Sequence, residues 1–257
     1  MTLRIKASKP GLKVEGEVRL EPSARWVRVK FGGEFVADTR KALLVWDNHY
    51  IPAYFFPPED VRREFLAPSG RSQGERTTYH VTVNGRTAEN AAWSYTDPSL
   101  EHVALKDFVA FRWNKMDAWL EEEEELFVHP RDPHKRVDAI PSSRHVRVEI
   151  DGVTVADTQR PLLLFETDLP PRYYLPPEDV RLELLEPTNT RTRCPYKGVA
   201  SYWSAGINGQ NYQDIVWSYP DPIPECPKIA GLLAFFNEKV DLVVDGELQE
   251  RPQTPWS

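Results

Sequence analysis

The chain has 257 residues, 28% charged and 40% hydrophobic, with 32 Lys plus Arg against 39 Asp plus Glu and a net charge of -7. That is the composition of a globular protein with room for one large or two small domains, and it excludes a miniprotein that depends on disulfide or metal staples. The acidic balance opposes binding to nucleic acid across a broad face, no apolar window approaches the length of a membrane span, and the opening MTLRIKASKP lacks the apolar core of a secretory signal, so the expected setting is the cytoplasm, with neither nucleic acid nor membrane as partner.

Residues 1–24 form an extension before the first recognisable unit. RWVRV at 25–29 then begins a pattern that returns 119 residues later as RHVRV at 144–148. VADT at 36–39 returns at 155–158, Leu43 and Leu44 as Leu162 and Leu163, Tyr54 as Tyr173, and PPEDVR at 57–62 as PPEDVR at 176–181. Beyond this point the offset becomes 124. WSY at 93–95 pairs with WSY at 217–219, Ala110-Phe111 with Ala234-Phe235, and Lys115 with Lys239. The second copy therefore carries five extra residues, which fall where it reads TRTRCPYKGVASYW and the first copy reads SQGERTTYHVTV. Self-similarity on this scale marks a duplicated unit. It gives a first domain over 25–128, a linker rich in Pro and charge over 129–143, a second domain over 144–250, and a frayed tail over 251–257.

Within each copy VRVKF, VRVEI, LLLF, RYYL, LLAFF and DLVV are short, β-branched or aromatic runs bounded by Gly, Pro, Asp or Asn, which is the signature of strands. VRVEIDGVTVADT reads as a hairpin with Asp151-Gly152 at its turn, and Gly32-Gly33 occupies the same place in the first copy. PPEDVR is the convincing helical turn, because proline suits a helix start and acidic residues suit its positive end. With 23 prolines, long helices are not expected. The reading is all-β: two tandem small β domains with one or two short helical turns each. The acidic run Glu121–Glu125 reads as a solvated linker or strand edge.

Cys194 and Cys226, 32 residues apart, allow at most one bridge and are expected as reduced thiols. All six histidines precede them, which argues against a zinc site, and no cofactor is expected.

The strings LLLFETDLPPRYYLPPEDVRLELL, TRCPYKGVASYW, IVWSYPDP and LLAFFNEKVDLVVDG, in that order over about 144–250, resemble the DUF427 family. The segment over about 25–128 is similar to a second, diverged member that lacks CPYKG. The resemblance implies a compact β fold of the β-tent type. A nucleotidyltransferase activity finds no support in the residues: there is neither a Gly-Ser pair followed by spaced aspartates nor a glycine-rich phosphate loop.

Chemistry-bearing residues are densest in the second copy. Glu166, Tyr173, Tyr174, Cys194, Lys197, Tyr202, Trp203, Trp217 and Tyr219 all lie on or beside expected strands, with Tyr196 in the turn between. An aromatic lining with a few placed polar groups is the usual make-up of a small-molecule pocket, with Glu166 and Lys197 orienting the ligand. Glu166 and Lys197 read in the first place as a buried structural ion pair, and the ligand role is the functional alternative. Two other readings stand beside this one. The second copy could be an enzyme using Cys194 as nucleophile or Lys197 as a low-pKa amine, or the chain could be an interaction module built on sheet edges and the acidic run. The first copy keeps Asp47 in the place of Glu166, and keeps Tyr54, Phe55, Trp93 and Tyr95. Its His49 and His80 could replace the missing polar groups, but isolated histidines such as these read first as satisfied structural groups.

Overall fold

The computed structural model describes residues 18–47, 51–73, 75–96, 98 and 102–257. Two units result, 1–130 and 131–257. The first contains β1 (Arg19–Pro22), β2 (Val27–Phe31), β3 (Glu34–Thr39), β4 (Leu43–Trp46), β5 (Ala53–Phe56), β6 (Leu66–Gln73), β7 (Arg76–Val83), β8 (Arg86–Tyr95), β9 (Val109–Phe111), β10 (Ala118–Glu121) and β11 (Glu124–Leu126). The second contains β12 (Val137–Pro141), β13 (Val146–Ile150), β14 (Val153–Thr158), β15 (Leu162–Glu166), β16 (Arg172–Leu175), β17 (Leu185–Cys194), β18 (Gly198–Ile207), β19 (Gln210–Ser218), β20 (Leu233–Phe235), β21 (Asp241–Val244) and β22 (Glu247–Leu248).

Each unit pairs a seven-stranded with a four-stranded sheet, and the strand orders are identical. The large sheets run β1-β4-β5-β9-β8-β7-β6 and β12-β15-β16-β20-β19-β18-β17, and the small ones β11-β10-β2-β3 and β22-β21-β13-β14. The all-β reading and the duplication both hold. The Asp151-Gly152 hairpin also holds, with both residues at positive φ (49° and 72°), the backbone that matches the right-handed twist of the strands it joins. Asn84-Gly85, Asn208-Gly209 and Asp245-Gly246 repeat that turn. PPEDVR forms a single 3-10 turn in each copy, Pro58–Asp60 and Pro177–Asp179, with Pro57 and Pro176 as N-caps.

Period-two alternation gives each large sheet two different faces. In the second unit the inner face meets the small sheet. Leu175, Val216 and Phe235 pack there against Val146, Val148 and Val155, and burying each such side chain stabilises by about 1.5–3 kcal/mol. The outer face carries Leu162, Leu164, Tyr174, Ala200, Trp217 and Tyr219, covered by Cys226 and Ile229 from the segment after β19. The first unit repeats the plan, with Val27, Val29, Phe56 and Trp119 within and Val45, Phe55, Tyr95 and Leu105 on the outer face.

Two boundaries, and the surroundings of the tail and of the acidic run, differ from the sequence reading. Residues 19–22, placed in the extension, are β1 and pair with β4. Residues 137–141, placed in the linker, are β12 and pair with β15. Both segments are polar or proline-flanked, and an edge strand exposed on one side needs no long apolar run. The tail does not fray: Thr254 donates to Glu238 at 2.6 Å, Arg251 pairs with Asp241 at 2.7 Å, and Trp256 lies against the Arg172 guanidinium. The acidic run spans the β10–β11 turn and enters the edge strand β11, exposed as expected over Glu122–Glu125, but its first member is not solvated. Glu121 is buried, accepts a 2.6 Å hydrogen bond from the Tyr54 hydroxyl and pairs with Arg25.

Candidate functional site

CPYKG is the tip of the β17–β18 hairpin. Cys194 faces Gly198 across the ladder, and the Lys197 amide donates to the Cys194 carbonyl at 3.3 Å. The five extra residues of the second copy thus lengthen this hairpin: β17 and β18 are ten residues each, against eight for β6 and β7. The segment after β19 clamps the tip, with the Ile223 amide on the Lys197 carbonyl at 3.1 Å and Pro222 bridged to Gly198. Gly198 has φ +109°, and a Cβ there would stand 3.3 Å from the Asp221 carbonyl, so both the turn and the close approach require glycine. On the other side Tyr196 accepts the Asp132 amide at 2.8 Å.

So held, Lys197 is 8% exposed, and its ammonium donates to the carboxylate of Glu166, the last residue of β15. Around this pair lie the Cys194 thiol, the Cys226 thiol, Tyr174, Tyr202 and Tyr219, all on the outer face. Burial pushes the Cys226 thiol up, against the pull of the Lys197 charge, and it stays protonated. Burial likewise raises the Tyr174 and Tyr219 hydroxyls far above the usual phenol range, with Glu166 adding to the effect in both. The Trp217 indole N–H donates to the Tyr174 hydroxyl at 3.1 Å, and the two rings meet edge to face at 6.3 Å. Tyr202 and Thr192 share a hydroxyl hydrogen bond of 2.7 Å.

Seven of the nine residues singled out in sequence therefore share one face: Glu166, Tyr174, Cys194, Lys197, Tyr202, Trp217 and Tyr219. The other two do not. Tyr173 alternates with Tyr174 and Trp203 with Tyr202, so both pack on the inner face against the inter-sheet core. Trp203 also lines an open apolar cleft of about 360 Å³ with Pro177, Leu182, Leu185 and Pro220, away from the ion pair.

The first unit has a polar cluster in the same place, built from other residues. Asp47 pairs with Arg76 on β7, accepts from the Tyr95 hydroxyl at 2.9 Å, and lies 3.4 Å from Nε2 of His102, whose Nδ1 is 3.2 Å from Glu75. Burial would raise the Asp47 carboxyl, but the hydrogen bonds from Tyr95 and His102 and the Arg76 charge outweigh it and hold the group below the usual carboxylate range. Burial pushes the Tyr95 hydroxyl up to about 12. His102 stacks on Tyr95 at 4.4 Å. His80 accepts the Asn90 amide on β8, the structural role expected of an isolated histidine, and His49 lies outside the described residues. The residue that sequence reading missed, His102, was legible: the offset of 124 aligns it with Cys226.

A second polar constellation was also missed. Arg172 opens β16 and makes two hydrogen bonds, 2.7 and 2.6 Å, to Glu238, which follows β20; both side chains are nearly inaccessible. The partners are 66 residues apart, and the sole hint was an arginine at the head of an otherwise apolar strand.

The two copies also differ at one indole. Where Trp217 has Tyr174 as acceptor, Trp93 meets Phe55, and its buried N–H has no hydrogen-bond partner. Phe55→Tyr is expected to supply that acceptor and raise stability by about 1 kcal/mol, read by urea denaturation; an unchanged midpoint would mean that the indole N–H is already satisfied by the Phe55 ring.

Curated proteins provide no match to the chain. A family model described as a domain of unknown function (DUF427) matches it twice, over residues 19–122 and 138–246, which takes in β1 and β12 as the structure does. Two matched regions over most of its length, each folding into the same pair of sheets, make the chain a tandem member of the DUF427 family.

Proposed function

We propose that the second domain is a small-molecule-binding module whose site is the outer face of its large sheet at the β17–β18 tip, with Lys197 and Glu166 orienting the ligand and Cys194, Tyr202 and Tyr219 beside them. One observation carries this reading. Both copies set a carboxylate at or just past the end of the same strand against a cation and a tyrosine, although the residues differ: Glu166, Lys197 and Tyr219 in one, Asp47, Arg76 and Tyr95 in the other. A pair needed for stability alone is readily exchanged for apolar side chains, often with a gain of 1–4 kcal/mol. Its persistence through a change of residues favours a polar task. Lys197 suits an anionic or carbonyl group on the ligand, while Glu166 holds the ammonium in place. Tyr173 and Trp203 take no part.

Native mass spectrometry of the purified full chain, repeated after denaturation, tests this. The expected result is a small-molecule mass lost on denaturation and absent from both Lys197→Ala and the shape-conserving Glu166→Gln. If the folded wild-type chain keeps a bare mass after incubation with a metabolite extract, or if both variants retain the adduct, the assignment fails.

A further inference from the structure

The corner where β16 begins is filled in the second domain and open in the first. In the second domain the Arg172 guanidinium lies between two indoles, 5.7 Å from Trp217 and 5.5 Å from Trp256, and is neutralised by Glu238, which also accepts from Thr254 at 2.6 Å. The repeat offsets put Ala53 where Arg172 stands, Trp93 where Trp217 stands, and Asn114 where Glu238 stands. With the arginine cut back to alanine, a cleft of about 300 Å³ remains at the head of β5, walled by Tyr54, Trp93, Phe111, Trp113 and Trp119. That is the lower end of the range for small-ligand sites. Trp113 and Trp119 stack at 4.4 Å, so this wall is rigid and flat.

The electrostatics of the corner differ as well. The second domain holds a cation against a buried carboxylate. The first has the neutral Asn114 in place of that carboxylate and Arg112 in place of Phe236. The Arg112 guanidinium stands 5.8 Å from the Trp93 ring, its Nε donates to the Asn90 carbonyl at 2.8 Å, and among the described residues it forms no ion pair. An aromatic box with an anchored cation at its rim favours a flat ring for the walls and a negative group for the guanidinium.

We propose that this cleft in the first domain is a second ligand site, which takes a planar aromatic group bearing an anionic substituent, with the ring against the partly exposed Trp93 and Trp113 and the anion on Arg112. The site is separate from the Lys197–Glu166 face and does not depend on its function.

The test uses the full chain with three probes: indole-3-acetate, tryptamine, which carries the opposite charge on the same ring, and cyclohexylacetate, which carries the same charge without the flat ring. Binding is read by saturation transfer to the probe and by shifts of the Trp indole N–H signals. Indole-3-acetate is expected to bind at least about tenfold more tightly than either of the others. Arg112→Gln, at an exposed position, is expected to erase the preference over tryptamine. Ala53→Arg with Asn114→Glu, which installs the second domain's own pair, is expected to abolish binding, while Lys197→Ala leaves it unchanged. No transfer to indole-3-acetate at millimolar concentration, equal binding of tryptamine to the wild type, or binding that survives the double substitution in a folded chain would each overturn the proposal.

Discussion

Glu238→Ala is expected to lower the unfolding free energy of the second domain by about 3–5 kcal/mol, the largest effect of any single polar substitution in that domain. The carboxylate is inaccessible and accepts two hydrogen bonds from Arg172 and one from Thr254, so its removal leaves a guanidinium buried between Trp217 and Trp256 without a counter-charge. It also releases the tail that Thr254 fastens. Replacing both partners, Arg172→Leu with Glu238→Leu, is expected to recover most of the loss, because the desolvation of both charges disappears with the pair. Urea denaturation of the full chain and of both variants decides the matter. A double variant as unstable as the single one would show that the arginine is needed for packing rather than for charge.

The pair also predicts a direction with pH. Burial raises the Glu238 carboxyl, but Arg172, Thr254 and the Glu238 backbone outweigh it and hold the group below its ordinary value. A carboxyl depressed in the folded state contributes stability that is complete above its unfolded value, near 4.3, and is lost as pH falls through the folded value. Asp47 in the first domain has the same sign. Both domains are therefore expected to lose stability below about pH 4, and the Arg172→Leu, Glu238→Leu variant is expected to lose less than the wild type over that window.

Tyr174→Ala is the second large loss, about 3–5 kcal/mol. Tyr174 is fully buried at the centre of the outer-face cluster, packs edge to face with Trp217, and accepts that ring's indole N–H. Truncation leaves both a cavity and an unpaired donor. Tyr174→Phe separates the two, because it keeps the volume and removes only the acceptor, and about 1–3 kcal/mol is expected. The near-ultraviolet circular dichroism of the tryptophans is expected to fall in the alanine variant and to change little in the phenylalanine one. Equal losses in the two variants would assign the whole effect to the hydrogen bond.

How much of the site was legible depended on whether its residues lay near one another along the chain or were brought together by strand pairing. Glu166 and Lys197 were named from sequence because each stands beside a recognisable string, and the structure joins them. Tyr173 and Trp203 were named for the same reason, yet they face the other way. Alternation was available to warn of it, since Tyr173-Tyr174 and Tyr202-Trp203 are adjacent pairs and adjacent residues on a strand cannot share a face. Arg76 and the Arg172–Glu238 pair escaped notice because their partners are distant in sequence and are brought together only by the folded sheet, whereas His102 could have been found from the repeat offset.

The amino-acid sequence determined the duplication, the β class and the hairpin turns. These rest on local backbone preference and on copying, and both leave their mark on consecutive residues: Asp151-Gly152 needs nothing beyond itself to favour its turn. Tertiary structure alone decided that residues 19–22 and 137–141 complete the two large sheets, that Thr254 and Trp256 are fastened at the β16 corner, and that the two copies of this corner are filled in one case and open in the other. Each of these depends on which side chains meet across the sheets after folding, and at this corner Arg172, Glu238 and Trp256 meet in one copy where the other has Ala53 and Asn114.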